Sequence, residues 1–421
     1  MVEIDFIRKN PELVIERLKI KHFDAADIIN EILELDEDRR QCKLLLERAQ
    51  GELKRLSKEL GILKTSGNEV DFQKNKIQTS FHKAQIPGFE AEANELNSKI
   101  HQLQLKLPNL PSELVPPGKT PEENVTVREG GSKPELPTGA VPHWELAKRY
   151  DLIDFELGNK VTGSGFPFYK GKGAKLQRAL IQYFLDFNTA AGYTEYMAPL
   201  MVNEASALGT GQLPDKEGQM YHSTVDNLYL IPTSEVPLTN IYRDTILKET
   251  ELPVKMTAYT PCFRREAGSY GAHVRGLNRL HQFDKVEIVQ LVHPSRSYEI
   301  LEEMVAHVEK LVQSLELPYR ILRLCGGDMS FASALTYDFE VWSAAQEKWL
   351  EVSSVSNFET YQTNRMKARF KEDGKTQLLH SLNGSSLALP RILAALLENN
   401  QDENGIRVPV ALHRYFGSEM I

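Results

Sequence analysis

Two long stretches near the N-terminus, each with apolar residues at heptad spacing, constrain the fold of this chain more than any other feature. In the first stretch, apolar or small residues recur at alternating intervals of three and four positions over about five heptads, with Arg39 as one polar exception. These residues form the first seam: Ile28, Ile32, Leu35, Cys42, Leu46, Ala49, Leu53, Leu56, Leu60 and Leu63. A second seam with this spacing contains Phe89, Ala93, Leu96, Ile100, Leu103 and Leu107. Residues 65–68 (T-S-G-N) between the seams are typical of a helix end and turn. The pattern predicts an antiparallel hairpin of two helices, each roughly 55 Å long, with a kink at Pro87 and Gly88.

The composition changes after the second seam. Residues 108–142 contain eight of the 21 prolines, several glycines and no hydrophobic period, which is typical of a linker. A chain of 421 residues also exceeds what one hydrophobic core usually supports. We therefore expect a helical arm at residues 1–107, a linker or entry segment at residues 108–142, and a second domain at residues 143–421.

The second domain alternates helical and strand patterns. Residues 173–191 have helical spacing, and residues 193–202 read as a strand in which Pro199 indicates an edge or interface position. Residues 286–292 and 338–342 look like antiparallel strands of one central sheet.

The composition excludes several classes of protein. The chain is 41% hydrophobic and 26% charged, which is ordinary for a soluble globular protein. It has no apolar run of about 18 residues and no signal-peptide core, so we expect no membrane partner and a cytoplasmic location. Cys42, Cys262 and Cys325 lie far apart without ligand spacing, so we expect neither a disulfide framework nor zinc.

The net charge of −8 argues at first against a nucleic-acid partner. The distribution is more informative, because residues 31–38 hold five acids, whereas residues 39–64 hold eight basic residues against three glutamates, a local charge of +5. Such a stretch can contact phosphates, or it can be the solvated flank of a coiled coil. Its basic residues are Arg39, Arg40, Lys43, Arg48, Lys54, Arg55, Lys58 and Lys64.

Residues 262–287 (C-F-R-R-E-A-G-S-Y-G-A-H-V-R-G-L-N-R-L-H-Q-F-D-K-V-E) carry the densest chemistry. Two strand-like runs, residues 256–266 and 280–291, flank a loop that contains Gly268, Gly271 and Gly276. An Arg, a Glu and an aromatic ring in this arrangement can bind a nucleotide phosphate, an adenine amino group and an adenine face. The alternative is a charged β-hairpin that merely faces solvent.

Residues 262–287 resemble the second signature of the class II aminoacyl-tRNA synthetases, in particular the seryl-tRNA synthetase family. Residues 231–240 (I-P-T-S-E-V-P-L-T-N) resemble that family's amino-acid-binding loop, and residues 382–399 resemble its third signature. The resemblance implies an α+β fold: a long antiparallel helical hairpin (coiled coil), then a class II catalytic domain with a central antiparallel β-sheet flanked by helices. It also implies a homodimer, with the helix and strand of residues 173–202 at the interface.

The implied reaction joins L-serine to ATP as seryl-adenylate and then transfers serine to tRNA(Ser). The resemblance leaves tRNA(Sec) open as a second acceptor, and it places the helical arm and its basic residues against the tRNA. Adenylate formation needs no protein nucleophile; it needs groups that position two anions and neutralise developing charge, such as Arg and Mg²⁺. Accordingly, the chain has no G-x-S-x-G motif or recognisable triad.

Arg264 and Arg391 are the expected catalytic residues. Arg264 can bind the α-phosphate and the substrate carboxylate through its planar fork, although a salt bridge with Glu266 is its ordinary alternative. Arg391 follows Pro390 in the first turn of a predicted helix at residues 391–399, where it would face the far end of the triphosphate. By resemblance Glu266 accepts from the adenine amino group and Phe283 stacks on the ring. The expected ATP-binding set also contains Arg265, Leu280, Glu351, Val352, Ser353 and Ser354.

Glu351 and Ser354 supply the hard oxygens that Mg²⁺ prefers, although an alternating strand would present the same residues. Serine is small and zwitterionic, so its pocket must be polar and tight, and a site that hydrogen-bonds the hydroxyl rejects alanine by roughly 10⁴. The expected serine-binding residues are Thr233, Ser234, Glu235, Arg264, Glu287, Asn383 and Ser385. Which oxygen meets which group of serine stays open.

Two other functions fit parts of the sequence. A synthetase-like enzyme that loads amino acids onto carrier proteins should lack the long basic arm, which this chain has. A noncatalytic coiled-coil tRNA-binding or scaffold protein with a degenerate synthetase domain should have lost the ATP-site residues, which this chain retains. Residues 385–388 (S-S-L-A) replace glycines of the general class II signature, a difference that concerns the shape of that loop.

Overall fold

The computed structural model describes residues 1–215, 217–266 and 275–421. They form two compact units: residues 2–19 and 23–108 make up one, and residues 1, 20–22 and 109–421 make up the other. Gly268 and Gly271 of the predicted Gly-rich loop lie outside the described residues. Within the described ranges, no helix is both long and apolar enough to cross a bilayer.

The first unit is helical. Its elements are α1 (Ile4–Lys9), α2 (Pro11–Ile20), α3 (Ala26–Ser66) and α4 (Glu69–Lys106). Contacts between α3 and α4 join early residues of one helix to late residues of the other, as in Arg39 with Asn97 and Cys42 with Phe89. The predicted antiparallel hairpin is therefore confirmed. Gly67, which follows α3, adopts a left-handed conformation with φ of 71°, and the Asn68 side chain caps α4.

The predicted seams largely form the interface of the hairpin. Buried positions in α3 include Ile32, Cys42, Ala49 and Leu56, although Ile29 is buried in place of the predicted Ile28. The second seam is buried from Ala93 onward. The helix α4 continues through Pro87 without a break in its assignment, and the kink there stays a prediction.

A buried carboxylate interrupts the seam of α3. Asp36 is 1% exposed and accepts hydrogen bonds from Arg8 and Arg39. Burial alone would raise the pKa of Asp36, but these hydrogen bonds and charges hold it below its ordinary value. The polar exception at Arg39 is thus the partner of a buried acid.

The second unit contains both strands and helices. Its strands are β1 (Val125–Gly130), β2 (Ile153–Asp154), β3 (Phe168–Tyr169), β4 (Thr194–Glu195), β5 (Met201–Asn203), β6 (His222–Ser223), β7 (Leu228–Leu230), β8 (Ile246–Lys248), β9 (Val254–Phe263), β10 (Gln282–Val292), β11 (Tyr319–Arg323), β12 (Leu335–Ser343), β13 (Lys348–Glu359), β14 (Arg369–Glu372), β15 (Lys375–Leu378) and β16 (His380–Ala388). Its α-helices are α5 (His143–Arg149), α6 (Phe155–Val161), α7 (Gly171–Ala190), α8 (Glu204–Thr210), α9 (Glu235–Asn240), α10 (Ser297–Ser314), α11 (Tyr361–Met366), α12 (Leu389–Asn399) and α13 (His413–Phe416).

The main sheet has eight strands among the described residues, in the order β1-β11-β12-β13-β16-β10-β9-β4. All neighbours pair antiparallel except β4 and β9, which are parallel. One face of this sheet carries the hydrophobic core, where α7, α10 and α12 pack through residues such as Phe184, Met304 and Ile392 against Val286 and Ile288 of β10. The predicted α+β fold with a central antiparallel sheet is confirmed.

Two sequence-based expectations differ from the structure in detail. The segment 108–142 is not only a connection, because β1 within it pairs with β11 at the edge of the main sheet. The strand expected at residues 193–202 is instead two short strands, β4 and β5, and residues 196–200 between them are irregular around Pro199, where the backbone N–H is missing.

Candidate active site

One face of the main sheet collects polar side chains. Successive residues of a strand point to opposite faces, so Phe283, Lys285 and Glu287 of β10 point away from Val286 and Ile288 in the core. The strand registers place Glu287 opposite Ser385 of β16. Further along the sheet, they place Asn383 opposite Ser356, and Ser354 opposite Asp338. This face therefore carries the predicted serine-binding and metal-binding residues together.

Two buried glutamates lie at one end of this face. Glu235 is the first residue of α9 and is 8% exposed, and Glu287 is 2% exposed. Thr233 donates a hydrogen bond to Glu287 at 3.1 Å, and Lys285 contacts both Thr233 at 2.8 Å and Glu287 at 2.5 Å. Lys285, which the sequence analysis did not select, therefore partly neutralises the acidic cluster.

The carboxyl group of Glu235 titrates near neutrality. Burial, followed by the nearby charge of Glu287, raises the pKa of Glu235 to about 7. The side chain accepts a hydrogen bond from Gln362 at 2.6 Å, which favours the ionised form. A cationic group bound between the two glutamates would lower this pKa, so the cluster is suited to an ammonium ion.

Asn383 and Ser385 complete the polar pocket from β16. Both are 7% exposed, and the Asn383 Nδ2 atom is buried without a hydrogen-bond partner among the described residues. An amide donor of this kind is costly unless a ligand or water accepts its hydrogen bond. Ser234, which was also predicted to bind serine, is fully buried, and its hydroxyl donates to the Ala258 carbonyl at 3.5 Å. Ser234 therefore supports the loop instead of offering its hydroxyl to a ligand.

Arg264 follows β9 and lies beside this pocket. Its backbone N–H donates to the His281 carbonyl at 2.9 Å, and its Nε donates to the Pro232 carbonyl at 3.4 Å. The Cζ atom lies 5.3 Å from the centre of the Phe283 ring, a distance typical of a cation–π contact. The positive charge of Arg264 also acts to lower the pKa of Glu235, which places it within electrostatic reach of the acidic cluster.

Glu266 pairs with a residue that the sequence analysis did not consider. Arg279 donates to the Glu266 carboxylate at 2.5 Å. The sequence had suggested Arg264 as the salt-bridge partner of Glu266 if Arg264 did not bind phosphate. Arg265 is anchored through its backbone N–H, which donates to the Gln219 carbonyl at 2.9 Å. Leu280 is buried in the hydrophobic core.

Arg391 lies in the first turn of α12, as predicted, and it bridges two other segments. Its Nε donates to the Asn278 carbonyl at 3.0 Å, and its Nη1 donates to the Glu351 carbonyl at 2.9 Å. The same Nη1 lies 3.6 Å from the Glu351 carboxylate. The structure thus brings Arg391 and Glu351 together.

The predicted ATP-site residues of β13 lie in two different environments. Val352 and Ser353 are buried, and the Ser353 hydroxyl donates to the Ser385 carbonyl at 2.6 Å. Glu351 is exposed, and an irregularity in the β12–β13 pairing lies between the partners of Ser353 and Glu351. These two buried residues therefore support the site, whereas Glu351 and Ser354 present oxygens to it.

Asp338 was missed by the sequence analysis. It lies opposite Ser354 on β12, and its Oδ1 atom is buried without a hydrogen-bond partner among the described residues. Burial and the charge of Glu351 raise the pKa of Asp338 well above its ordinary value. The alternation of acidic and apolar residues in Y-D-F-E-V-W (residues 337–342) was the available signal. No group of three or more His, Cys, Asp or Glu side chains in the described ranges is arranged as a metal site, so a cation here would rely on carboxylate, hydroxyl and ligand oxygens.

The predicted RNA-contacting residues of α3 fall into two groups. Arg39 is held by buried Asp36, while Arg40 pairs with Glu37, and Arg55 pairs with Glu52 and Glu59. For the described part of the chain, no ion pair involves the remaining five: Lys43, Arg48, Lys54, Lys58 and Lys64. The second group therefore has the greater unneutralised charge.

Comparisons with known proteins agree along the whole chain. Residues 1–111 match the seryl-tRNA synthetase N-terminal domain, and residues 220–400 match the class II tRNA synthetase core domain of the G, H, P, S and T types. The serine–tRNA ligase of Salinibacter ruber is 49% identical over 420 residues, which cover 99% of this chain and 98% of that protein. This chain belongs to the seryl-tRNA synthetase family. The resemblance drawn from the sequence motifs is thereby confirmed.

Other relatives extend the comparison. The serine–tRNA ligase of Methylacidiphilum infernorum is 45% identical over 424 residues, covering 100% of both chains. Among solved structures, the seryl-tRNA synthetase of Pyrococcus horikoshii, complexed with ATP, matches with a TM-score of 0.93 and 33% identity, covering 100% of this chain and 99% of that chain. The serine–tRNA ligase of Naegleria fowleri in complex with AMP matches with a TM-score of 0.88 and 26% identity, covering 100% and 98%.

Proposed function

We propose that this protein activates L-serine with ATP to form seryl-adenylate and then transfers serine to the 3′ end of tRNA(Ser). The observation that carries the proposal is the buried glutamate pair, Glu235 and Glu287, directly beside the Arg264–Phe283 contact on one sheet face. Family membership over the whole chain supports the same reaction. In the first step a serine carboxylate oxygen bonds to the α-phosphorus, and the bond to the β-phosphate oxygen breaks to release pyrophosphate.

The pocket residues divide the recognition of serine. Glu235, Glu287 and Thr233 surround the ammonium group, because two carboxylates and a hydroxyl meet there. Asn383 and Ser385 face the hydroxymethyl group, for which the unpartnered Asn383 amide supplies a donor. Alanine would leave that donor buried and unpaired, which costs binding energy. Specificity for serine also requires that the additional methyl group of threonine finds no space in this pocket.

The nucleotide lies along the other half of the face. Phe283 stacks on adenine, and Glu266 accepts from the adenine amino group once its contact with Arg279 rearranges. Arg264 binds the α-phosphate and the serine carboxylate, and Arg391 binds the far end of the triphosphate. These fixed guanidinium groups neutralise the charge that develops on the phosphates without reorganising during the reaction.

Mg²⁺ fits the oxygen donors near Arg391. Glu351 and Ser354 supply a carboxylate and a hydroxyl, and the unpartnered Oδ1 of Asp338 adds a third oxygen. When bound, the ion would neutralise part of the negative charge of the phosphates. Arg391 contributes separately by holding Glu351 in place.

We also propose that the helical unit binds the tRNA. Lys43, Arg48, Lys54, Lys58 and Lys64 supply the positive charge, whereas Arg39 is left out because Asp36 holds it in a partly buried pair. Recognition through phosphates and helix shape is the usual mode for structured RNA. The tRNA(Sec) of bacteria, if it shares that shape, would be a second acceptor.

A homodimer in the cytoplasm completes the proposal. The irregular segment after β4 and the start of β5 expose apolar side chains: Met197 is 98% exposed, and Leu200 and Met201 are also exposed. Val225 is 93% exposed on the connection between β6 and β7. Exposed apolar residues of this size are typical of a surface that another subunit covers.

The decisive assay is amino-acid-dependent exchange of pyrophosphate into ATP. We expect exchange with serine, roughly 10⁴-fold less with alanine or glycine, which lack the hydroxyl, and strongly reduced exchange with threonine. Equal exchange with any of these three would contradict the serine assignment. Absence of exchange in a folded preparation that still binds tRNA would instead support the noncatalytic scaffold.

A further inference from the structure

A buried histidine and glutamate connect two elements behind the nucleotide site. His143, the first residue of α5, and Glu398, near the end of α12, are both 0% exposed. The His143 Nδ1 atom lies 2.7 Å from the Glu398 carboxylate, and the His143 backbone N–H donates to the same oxygen at 2.9 Å. Burial alone would raise the pKa of Glu398, but hydrogen bonds from His143 and Ser343 hold it below its ordinary value.

The other ring nitrogen of His143 faces the backbone of Gly276 and Leu277. The backbone N–H of Leu277 donates to His143 Nε2 at 2.9 Å. Because Nε2 accepts this hydrogen bond, it carries no proton, and the proton of the neutral ring is on Nδ1, where it is donated to Glu398. The ring therefore acts as a donor on one side and an acceptor on the other.

Gly276 makes this approach possible. Its φ is 70°, and a Cβ atom at this position would lie 2.3 Å from His143 Nε2. Any side chain would therefore displace either the ring or the backbone, besides being strained at that φ.

Residues 276–278, which include Gly276 and Leu277, also contact Arg391, the residue proposed to bind the triphosphate. The Asn278 carbonyl accepts from Arg391 Nε at 3.0 Å. The Asn278 side chain donates to Gln346 at 2.9 Å, and Gln346 in turn donates to Glu398 at 2.9 Å. Arg391 and Glu398 are seven residues apart on α12, so they share one face of that helix. Residues 276–278 are thus held by His143 at one end and by Arg391 at the other.

We propose that His143 is a positioning residue for ATP: through Nε2 it fixes residues 276–278 against α12 and thereby orients Arg391 toward the triphosphate. This proposal rests on the proposed function, since it assigns ATP to the site that contains Arg391. His143 itself is buried beneath this stretch, so it acts through Leu277 and Asn278.

Two substitutions of His143 distinguish a role in positioning Arg391 from a role in the stability of the fold. In His143→Gln, the side-chain oxygen can reach the former Nε2 position and accept from Leu277. In His143→Asn, the amide can replace Nδ1 as the donor to Glu398, but nothing accepts from Leu277. His413→Asn is a matched control, because His413 lies on α13 and the one hydrogen bond of its ring among the described residues is with the Val408 carbonyl.

We expect His143→Asn to raise the KM for ATP in pyrophosphate exchange by about five- to tenfold, the effect of one lost hydrogen bond, with the KM for serine unchanged within about twofold. His143→Gln should restore the ATP KM to within about twofold of wild type, and His413→Asn should leave both values unchanged. A purely structural role predicts equal loss of thermal stability in both His143 variants and no selective change in the ATP KM.

Gly276→Ala provides a second route if His143→Asn does not fold. It should raise the ATP KM, because the added Cβ atom pushes residues 276–278 and the His143 ring apart. An unchanged ATP KM in folded His143→Asn or in Gly276→Ala, or equal increases for ATP and serine, would overturn the positioning role. Absence of serine-dependent exchange in the wild-type protein would instead contradict the proposed function, so the two failures are distinguishable.

Discussion

The guanidinium of Arg264 lies over the ring of Phe283, with 5.3 Å between Cζ and the ring centre. The two residues come from opposite arms of the β9–β10 pair, where Phe283 lies opposite Cys262. The contact keeps the cation beside the carbonyl of Pro232 and close to the buried acids Glu235 and Glu287. An aromatic face, a cation and an acidic pocket therefore occupy one continuous region.

Removal of the Arg264 charge should prevent adenylate formation. We expect Arg264→Ala to lower kcat/KM for exchange by about 10³-fold or more, because a preorganised group that stabilises transition-state charge is lost. Binding of tRNA, measured by fluorescence anisotropy, should change by less than about twofold. Arg296→Ala is the control, since Arg296 is half-exposed and pairs with Glu299 on α10, outside the proposed site. Retained exchange in Arg264→Ala would mean that another group holds the α-phosphate.

The raised pKa of Glu235, about 7, should make serine binding depend on pH. Only the ionised carboxylate attracts the ammonium, so the KM for serine should be about tenfold higher at pH 6 than at pH 8. Glu235→Gln should bind serine weakly at both values and show little of this dependence. An identical pH profile for wild type and Glu235→Gln would assign the titration to another group.

The same group should affect folding stability. Because the folded pKa of Glu235 exceeds its ordinary value of 4.5, the folded state binds the proton more tightly between about pH 4.5 and 7. The contribution of this group to the free energy of unfolding is therefore greatest below pH 4.5 and is lost as the pH rises toward 7. Urea denaturation should show a smaller decline over this range for Glu235→Gln than for wild type, and parallel curves would contradict the assignment.

Gln362 should support serine recognition without touching ATP. Its amide donates to Glu235 at 2.6 Å and to the Thr210 carbonyl at 3.1 Å, and its oxygen accepts from Ser381. Replacement with Met keeps the volume but removes these hydrogen bonds, so we expect the KM for serine to rise about five- to tenfold. The KM for ATP serves as the internal control, and equal changes in both would indicate general disruption of the site.

The metal proposal can be tested at Asp338. Asp338→Asn removes a charged oxygen donor, so half-maximal exchange should require several-fold more Mg²⁺. Exchange should stop with excess chelator and return when Mg²⁺ is added back. Asp373→Asn, at an exposed position between β14 and β15, is the surface-charge control. An unchanged Mg²⁺ requirement in Asp338→Asn would exclude Asp338 from the donor set.

Lys58 and Arg55, which are neighbours on α3, allow a test of whether tRNA binding depends on positive charges that are not paired with an acid. Arg55 pairs with Glu52 and Glu59, whereas no ion pair among the described residues involves Lys58. Lys58→Ala should weaken tRNA binding and reduce the slope of log K against log salt by about 0.7 to 0.9. Arg55→Ala should have a smaller effect because its charge is already compensated. Equal salt slopes for Lys58→Ala and wild type would remove Lys58 from the contact surface.

The sequence specified the helical hairpin and the main strands well, because heptads and alternating residues report directly on burial. It placed Cys42, Ala49 and Leu56 in the interface correctly, although Ile29 instead of Ile28 is buried. It also selected Glu235, Glu287, Arg264 and Phe283 through motif resemblance, and the structure brings these four residues together.

Other features depend on contacts between distant segments and could not be predicted. Lys285 and Asp338 lie in strands that contain other charged residues, so the sequence does not single them out. Their roles emerge only when the strand registers place them beside Glu287 and Ser354. The partner of Glu266 is Arg279, 13 residues away. The strand β1 was not predicted, because its six residues are too few to show a clear strand pattern among the surrounding prolines and glycines.

A crystal structure with a non-hydrolysable seryl-adenylate analogue would show the whole proposed site in one experiment. We expect the adenine on Phe283, the phosphate on Arg264, and the ammonium between Glu235 and Glu287, with Asn383 donating to the hydroxyl. An analogue bound elsewhere, or an amino-acid group that lies away from the two glutamates, would contradict the proposed site.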